Sequence, residues 1–366
     1  MASISRRSLF TAAAAYTVAL RSQLRAAEEA AGGDDRFDWW GDIDGFLNRQ
    51  AEIALEMAGE VLQAFTPQIP EPAERRRAMM LLDQVFHDPD APKRPAVQRF
   101  LHSRLERAAG LIESTRVETG AMVWKLYNHG FVVRTPTVTI GFDLVRAHSA
   151  RAEGFAVADE VLLRIARECD ALFISHRHGD HADPTVAGMF LSDGKPVVAP
   201  PEVWADQAIH PKITHLNREP HTLQPLPIQD GKLSLRVAVY PGHQGGGRQS
   251  AHGNGIENNV PLVFTPEGMS FAQTGDQSND EDFSWIDQVG QRHRVDVLMP
   301  NCWTPDIVRM VRGFDPELIL SGHENEMGHT IDHREPYWLT YSRLRGATAP
   351  LLVLAWGESF HYQPKS

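Results

Sequence analysis

Cysteine and positive charge are both scarce in this chain, and each scarcity excludes a class of protein. The 366 residues include only two cysteines, Cys169 and Cys302. They are too few for a disulfide framework and too far apart for a cysteine zinc site, so we expect both to be packing residues. Lysine and arginine number 36 against 47 aspartates and glutamates, a formal net charge of −11. Because a nucleic-acid backbone requires concentrated basic residues, we expect no nucleic-acid partner.

The amino terminus has an uncharged run, residues 8–20, that is too short for a stable membrane span. It follows Arg6 and Arg7 and precedes small residues, which is the layout of a secretory signal. Residues 5–10, SRRSLF, resemble the twin-arginine export motif, although Leu9 and Phe10 stand in swapped order and no clean A-x-A cleavage site follows. We therefore predict a signal-like export segment over residues 1–27 and a periplasmic protein, with a cytoplasmic protein as the alternative.

Residues 37–118 have the periodicity of helices. The stretch 46–65 spaces its large apolar residues for one face, and helical stretches at 72–86 and 95–115 follow, separated by proline-rich linkers. The residues that define the first face are Leu47, Ile53, Leu55, Met57, Val61 and Phe65. We interpret this segment as a helical extension that packs on the main domain; a lid or a dimerisation element is the alternative, which leaves a homo-oligomer open.

Strand-like segments dominate residues 119–366, which we take as the main domain. They lie at 121–130, 131–144, 170–176, 195–200, 232–243, 259–265, 269–276, 295–300, 316–322 and 350–357. Helical stretches at 156–168, 282–290, 304–313 and 335–344 alternate with them. Because the early strands crowd together and the later ones are separated by helices, we predict an α/β fold with two sheets covered on the outside by helices.

The segment FISHRHGDH, residues 173–181, concentrates histidine and aspartate directly after a short apolar strand. Strand alternation sends His176 and His178 to one side, while Gly179 permits the bend that brings Asp180 and His181 toward the same centre. Imidazole nitrogen and carboxylate oxygen together suit zinc, with iron or manganese as alternatives. The segment therefore predicts a metal site.

Three later strands also run straight into a metal-ligand residue, and in each a glycine precedes it. The strand ending at His243, the strand ending at Asp276 and the strand ending at His323 supply these residues. A glycine is expected where the backbone must approach a crowded centre. The agreement of all three strand ends predicts that they complete the site begun at residues 176–181.

In this order, H-x-H-x-D-H followed by His, Asp and His, the motifs resemble those of the metallo-β-lactamase superfamily over residues 120–366. The resemblance implies a four-layer αβ/βα sandwich with the site at one edge, between the two sheets. The ligands that it implies are His176, His178 and His243 for one metal, Asp180, His181 and His323 for the other, and Asp276 as the bridge. The segments PNCW, SGHENEMGH and LLVLAWGESF are most similar to the L-ascorbate-6-phosphate lactonase branch and its N-acylphosphatidylethanolamine phospholipase D neighbour.

Two divalent metal ions, which we expect to be Zn²⁺ with Mn²⁺ or Fe²⁺ as alternatives, can share a water, lower its pKa and present hydroxide to a carbonyl or phosphorus. Asp180 can orient that water or relay its proton and is our catalytic candidate. We predict a hydrolase of a small ester, lactone or amide; a phosphodiesterase is the alternative, and a metal-binding protein without turnover is the alternative from another class. Asp276 stands where the superfamily's true β-lactamases usually have cysteine, so we expect weak or absent β-lactam turnover.

Candidates for binding the small-molecule substrate lie outside the ligand set. Asn128 and His129 occupy the turn between the first two strands. Arg248 and Asn258 lie in the long glycine-rich and polar segment after His243. His329 follows His323 closely. A simple turn would explain Asn128 and His129, and an exposed helix start would explain His329. A flexible surface loop is the safer assumption for Arg248 and Asn258, so all five are candidates only.

Overall fold

The computed structural model describes residues 41–147, 154–247 and 255–364. The described residues fall into two units, with a first unit that ends at Leu47 and a second that begins at Asn48. The second unit contains the sheets and the candidate site. The export segment that we predicted over residues 1–27 lies outside the described residues.

Strands appear where β-branched and aromatic residues cluster. They are β1 Ala121–Lys125, β2 Phe131–Arg134, β3 Thr139–Phe142, β4 Ala171–Phe173, β5 Val197–Val198, β6 Gln224–Ile228, β7 Leu233–Gln244, β8 Ile256–Phe264, β9 Ser270–Gln273, β10 Val297–Met299, β11 Leu318–Leu320, β12 Leu351–Leu352 and β13 Ser359–Tyr362. Within the described residues they form one sheet of six strands in the order β13-β1-β2-β3-β4-β5 and another of seven in the order β12-β11-β10-β9-β8-β7-β6.

The helices pack on the outer faces of the two sheets. They are α1 Ile43–Ala64, α2 Ala73–Phe86, α3 Pro95–Ser114, α4 Asp159–Glu168, α5 Pro184–Ser192, α6 Phe283–Ile286, α7 Val289–Arg292, α8 Ile307–Phe314 and α9 Tyr337–Arg343. In the described part of the chain no helix is both long enough and apolar enough to cross a bilayer.

Three apolar cores separate these layers. The first joins helices α1 to α5 to the outer face of the six-stranded sheet through residues such as Leu101 and Trp124. The second lies between the two sheets and includes Phe131 and Phe271. The third joins the seven-stranded sheet to α6, α7 and α8. The predicted αβ/βα sandwich with an amino-terminal helical extension is therefore confirmed.

Strand direction brings the site residues to one edge of the sandwich. β3, β4 and β5 are parallel, and so are β9, β10, β11 and β12. β7 is antiparallel to β8, which is antiparallel to β9, so β7 runs in the same direction as β9. The carboxyl ends of β3, β4, β7, β9 and β11 thus deliver their loops to the site region, as open α/β sheets commonly do.

The structure departs from the sequence-based expectation in a few elements. Strand β6 carries Pro225 and Pro227 and lies at the sheet edge, where a missing backbone donor is tolerated. Helix α5 was also not predicted. In α1 the predicted apolar face is wrong in part, because Ile53 and Met57 are exposed whereas the small Ala58 is fully buried.

Candidate metal centre

Histidine and aspartate side chains from the ends of three strands, β4, β9 and β11, converge in the second unit. One group consists of His176, His178 and Asp276, and a second consists of Asp180, His181, Asp276 and His323. Within each group the donor atoms lie within 4.8 Å of one another. The candidate residues at the ends of β4, β9 and β11 are thus brought together, with Asp276 common to both groups.

The Asp276 carboxylate turns one oxygen to each group. Its Oδ1 lies 3.1 Å from Nε2 of His181 and 3.7 Å from Nε2 of His323. Its Oδ2 lies 3.5 Å from Nε2 of His176. Asn301 donates to Oδ1 at 2.6 Å and Gln244 to Oδ2 at 2.9 Å, which fixes the plane of the carboxylate.

Asp180 contacts the two histidines of the second group, its own loop neighbour His181 and His323. Its Oδ2 lies 3.3 Å from Nε2 of His323 and 3.4 Å from Nε2 of His181. The side-chain amide of Asn128 donates to the backbone oxygen of Asp180 at 3.1 Å and to Oδ2 at 3.3 Å. Asn128 therefore holds both the backbone and the carboxylate of this residue.

The donor atoms of the cluster suit a cation. Nε2 of His176 and Nε2 of His181 are buried without a hydrogen-bond partner. A buried polar atom without a partner is costly, whereas a nitrogen lone pair directed at a metal is satisfied. Nitrogen and carboxylate oxygen together fit divalent metals, so the residues present fit the group that the sequence predicted.

The histidines and aspartates of the cluster shift one another's pKa values. Burial holds the pKa of His176 well below its usual range, and the neighbouring His181 adds to the effect. Burial alone would also lower the pKa of His181, but Asp276, Asp180 and Asp143 outweigh it and raise that pKa well above its usual range. Burial would raise the pKa of Asp276, but His181 and His323 hold it well below its usual range. Two carboxylates buried this deeply require positive charge beside them.

Asp143, which the sequence analysis missed, contacts the outer ring nitrogen of the candidate ligand His181. Its Oδ2 lies 2.8 Å from Nδ1 of His181 and accepts hydrogen bonds from Ser175 Oγ and Gln273 Nε2, both at 2.7 Å. Ser175 Oγ in turn lies 3.0 Å from Nδ1 of His176. Metal-binding histidines usually donate their second ring nitrogen to such a partner, which fixes the tautomer. The signal was present in the sequence, because Asp143 is the residue that immediately follows β3.

His243 lies at the end of β7, beside the cluster. Its Nδ1 is 3.0 Å from Asp282, whose other oxygen accepts the His243 backbone N–H at 2.8 Å. The side chain is about a quarter exposed. Among the described residues His243 is not in the groups whose donor atoms lie within 4.8 Å of one another. Its carboxylate-paired Nδ1 nevertheless leaves Nε2 as the ring nitrogen that could bind a metal.

The remaining candidates occupy different layers of the site. His129 is fully buried, with Nε2 3.2 Å from the backbone oxygen of Met299. Asn258 is also buried and accepts the Asp276 backbone N–H at 3.0 Å. His329 is half-buried, with Nε2 3.7 Å from Oδ2 of Asp180. Arg248 lies outside the described residues.

Comparison with solved structures found similar folds. Igni18, a novel metallo hydrolase from the archaeon Ignicoccus hospitalis, is 17% identical, with a TM-score of 0.49 over 68% of this chain and 100% of that chain. A possible metal-dependent hydrolase from Veillonella parvula is 13% identical, with a TM-score of 0.48 over 67% and 100%. CmlA, a diiron β-hydroxylase from Streptomyces venezuelae, is 14% identical, with a TM-score of 0.44 over 68% and 55%. No protein-family model and no curated protein matched the chain.

Replacing Asp143 by asparagine should weaken metal binding about 10-fold to 100-fold, because an amide cannot accept from His181, Ser175 and Gln273 together. Competition titration of the purified variant with a chromogenic chelator measures this loss. Asp170→Asn is the matched control: Asp170 precedes β4 at the end away from the site and accepts the Thr139 backbone N–H at 2.8 Å. Equal metal affinity in Asp143→Asn and the wild type would contradict the role assigned to Asp143.

Proposed function

We propose that this chain is a binuclear metal-dependent hydrolase of the metallo-β-lactamase superfamily that acts on a small ester, lactone or amide. The observation that carries the proposal is the Asp276 carboxylate, which turns Oδ1 to His181 and Oδ2 to His176. A carboxylate shared by two groups of ligands is the arrangement that a pair of cations requires. The lactonase-like branch, which rests on the similarity of short segments, is part of the same proposal.

A pair of divalent ions held by these ligands would supply Lewis acidity and a water of lowered pKa. The chain's own residues place the groups that work with it. His176, His178 and Asp276 would hold one ion, with His243 as the further ligand implied by the family resemblance. Asp180, His181 and His323 would hold the other, together with the shared Asp276.

Asp180 is the residue that we assign to proton transfer. Its Oδ2 is held by Asn128 and lies 3.7 Å from Nε2 of His329, on the half-exposed side of the cluster. This atom can orient an attacking water and accept its proton. His329 is then placed to contact the substrate beside Asp180.

Access to the cluster favours turnover over a purely structural role. Structural metal sites are closed by protein ligands, whereas catalytic sites keep an open position. Here His176, His181 and His323 are buried, but His178, His243 and His329 are only half-buried. A substrate can therefore approach from the side of these three histidines.

Among the described residues, the charges near the site favour an uncharged ester, lactone or amide over a phosphodiester. Arg177 is exposed and lies 4.0 Å from a carboxylate oxygen of Glu202. Arg218, close to the β7 end, pairs with Glu257 at 2.9 Å. A phosphodiesterase would need cationic side chains directed at the substrate anion, and both of these arginines face carboxylates.

Metal analysis of ligand variants tests the shared carboxylate. The reconstituted wild type should hold about two equivalents, and His178→Ala and His323→Ala about one each, because each change removes a ligand from one group only. Asp276→Ala should retain less metal than either, and all three variants should lose hydrolysis. Inductively coupled plasma mass spectrometry after gel filtration measures the retained metal.

The controls for this experiment separate ligands from bystanders. His361→Ala, at an exposed position on β13, should keep the wild-type metal content. His243→Ala should lose the same equivalent as His178→Ala if His243 is a ligand. A His323→Ala variant that keeps both equivalents, or a wild type that hydrolyses its substrate undiminished after thorough chelation, would overturn the proposal.

A substrate comparison tests the reaction class. We expect kcat/KM for simple lactones and carboxylic esters to exceed that for bis-p-nitrophenyl phosphate by at least about 100-fold, a difference of about 2.7 kcal/mol in transition-state binding. The assays use the zinc, manganese and iron forms of the same preparation, with His178→Ala as the background. Faster cleavage of the phosphodiester would favour the phospholipase D-like alternative.

Export through the twin-arginine route is proposed on the amino-terminal motif alone. Replacing both Arg6 and Arg7 by lysine should keep the protein in the cytoplasm, whereas the unchanged chain should reach the periplasm in a bacterial host. Fractionation followed by immunoblotting measures the distribution. Cytoplasmic retention of the unchanged chain would instead support the alternative location.

A further inference from the structure

Helix α2 of the amino-terminal extension touches the loop that leads on from His323. We call residues 323–338 the ligand loop; it carries His323, His329 and Glu335 and ends in the first turn of α9. Asp83 lies in the last turn of α2, 6% exposed, and directs its carboxylate into this loop. The contact joins two segments that are far apart in the sequence.

Asp83 accepts three hydrogen bonds from the ligand loop. Its Oδ1 accepts from the side-chain amide of Asn325 at 3.0 Å and from the backbone N–H of Tyr337 at 2.8 Å. Its Oδ2 accepts from the backbone N–H of Trp338 at 3.0 Å. Helix α9 has Pro336 at its N-cap and no side-chain cap of its own. Asp83 therefore caps α9 from another helix, where a negative charge is favourable.

The residues that Asp83 holds are close to the metal ligand His323. His323 and Asn325 both have left-handed backbones, with φ of 73° and 60°. Residues other than glycine adopt such angles at a cost and keep them only where the surroundings enforce them. The Asn325 backbone N–H donates to the Glu335 backbone oxygen at 2.7 Å, and the Glu335 carboxylate lies 3.6 Å from Nδ1 of His323. Asp83 thus accepts hydrogen bonds from Asn325 on one side of the turn that orients His323 and from Tyr337 and Trp338 on the other side.

A second tie from the same helix reaches His329. The buried Arg334 donates to the backbone oxygen of Phe86, at the end of α2, at 2.6 Å. The same guanidinium donates to the backbone oxygen of His329 at 2.9 Å. The side chain of His87 contacts the Arg334 backbone oxygen. The end of α2 is therefore bonded along the length of the ligand loop.

An apolar residue would pack at position 83 without the cost of a buried charge. Burial raises the pKa of Asp83 to about 6, against the lowering effect of its three hydrogen bonds and of the nearby His87. The carboxylate is still the main form at pH 7. The donors that hydrogen-bond to this carboxylate all lie in the ligand loop. The charge therefore contributes to the geometry of that loop more than to the packing of α2.

We propose that Asp83 is a positioning residue on helix α2 that holds the His323 ligand turn in its metal-binding conformation. The inference rests on the proposed metal centre for its consequence, but the contact itself is a property of the metal-free chain. The helical extension then serves the site directly, by setting the rigidity of one metal ligand.

Hydrogen exchange of the metal-free protein tests this proposal at amides that Asp83 does not touch. The His323 N–H donates to the Asn128 backbone oxygen and the Asn325 N–H to that of Glu335. In Asp83→Asn both amides should exchange roughly 10-fold faster or more, because the turn loses its external support. The same variant should bind one metal equivalent about 10-fold to 100-fold more weakly. Mass spectrometry and chelator competition measure the two effects.

Two further variants separate positioning from general destabilisation. Asn325→Gly keeps the left-handed φ accessible and removes only the amide that reaches Asp83, so it should reproduce both effects and remains informative if Asp83→Asn does not fold. Glu71→Gln is the matched control: Glu71 also belongs to the extension, and its carboxylate accepts from Tyr341 of α9 at 2.8 Å, outside the ligand loop. It should lower the melting temperature without changing His323 exchange.

Wild-type exchange at His323 in both Asp83→Asn and Asn325→Gly would overturn the inference, whatever happens to their melting temperatures. Equal acceleration in Glu71→Gln would overturn it as well, because the effect would then be general. The exchange measurement needs neither metal nor substrate. A finding that the chain binds no metal would therefore overturn the proposed function, but the exchange test of Asp83 would still be valid.

Discussion

The Asp276 carboxylate, buried between the imidazoles of His176 and His181, is the contact on which the candidate centre depends. A charged group so far from water is stable only if several neighbours supply donors and positive charge. Asn301 and Gln244 supply donors, and the surrounding histidines supply charge or leave room for cations. The two sheets, whose parallel strands end at this edge, provide the frame that brings these groups together.

Behind the cluster, carboxylates stand against the outer ring nitrogens of three histidines. Asp143 lies behind His181, Asp282 behind His243 and Glu335 behind His323. These acids come from β3, from the segment after β9 and from the ligand loop, so elements scattered along the chain are fixed to one centre. Such a surrounding layer turns flexible side chains into ligands of defined direction.

Much of this arrangement could be predicted from the sequence, because strands followed directly by histidine or aspartate are local patterns. The supporting acids Asp282 and Glu335 could not be predicted, since they matter only through partners that folding brings near. The face of α1 was misjudged for a related reason. Large residues such as Ile53 and Met57 were weighted by hydrophobicity, whereas close helix packing buried Ala51 and Ala58. Strand β6 was not predicted because its two prolines argue against a central strand. An edge strand tolerates proline, and β6 lies at the edge.

The core under the helices on the six-stranded sheet includes residues from both ends of the described chain. Leu82 and Phe86 of α2 and Leu101 and Leu105 of α3 share a core with the sheet residue Trp124 and with Trp356 near the carboxyl terminus. Helices α2 and α3 are thus part of this core. A shortened chain beginning at residue 119 would expose a broad apolar surface to water. A chimaera that joins residues 119–366 to another protein would have to include α2 and α3 as well.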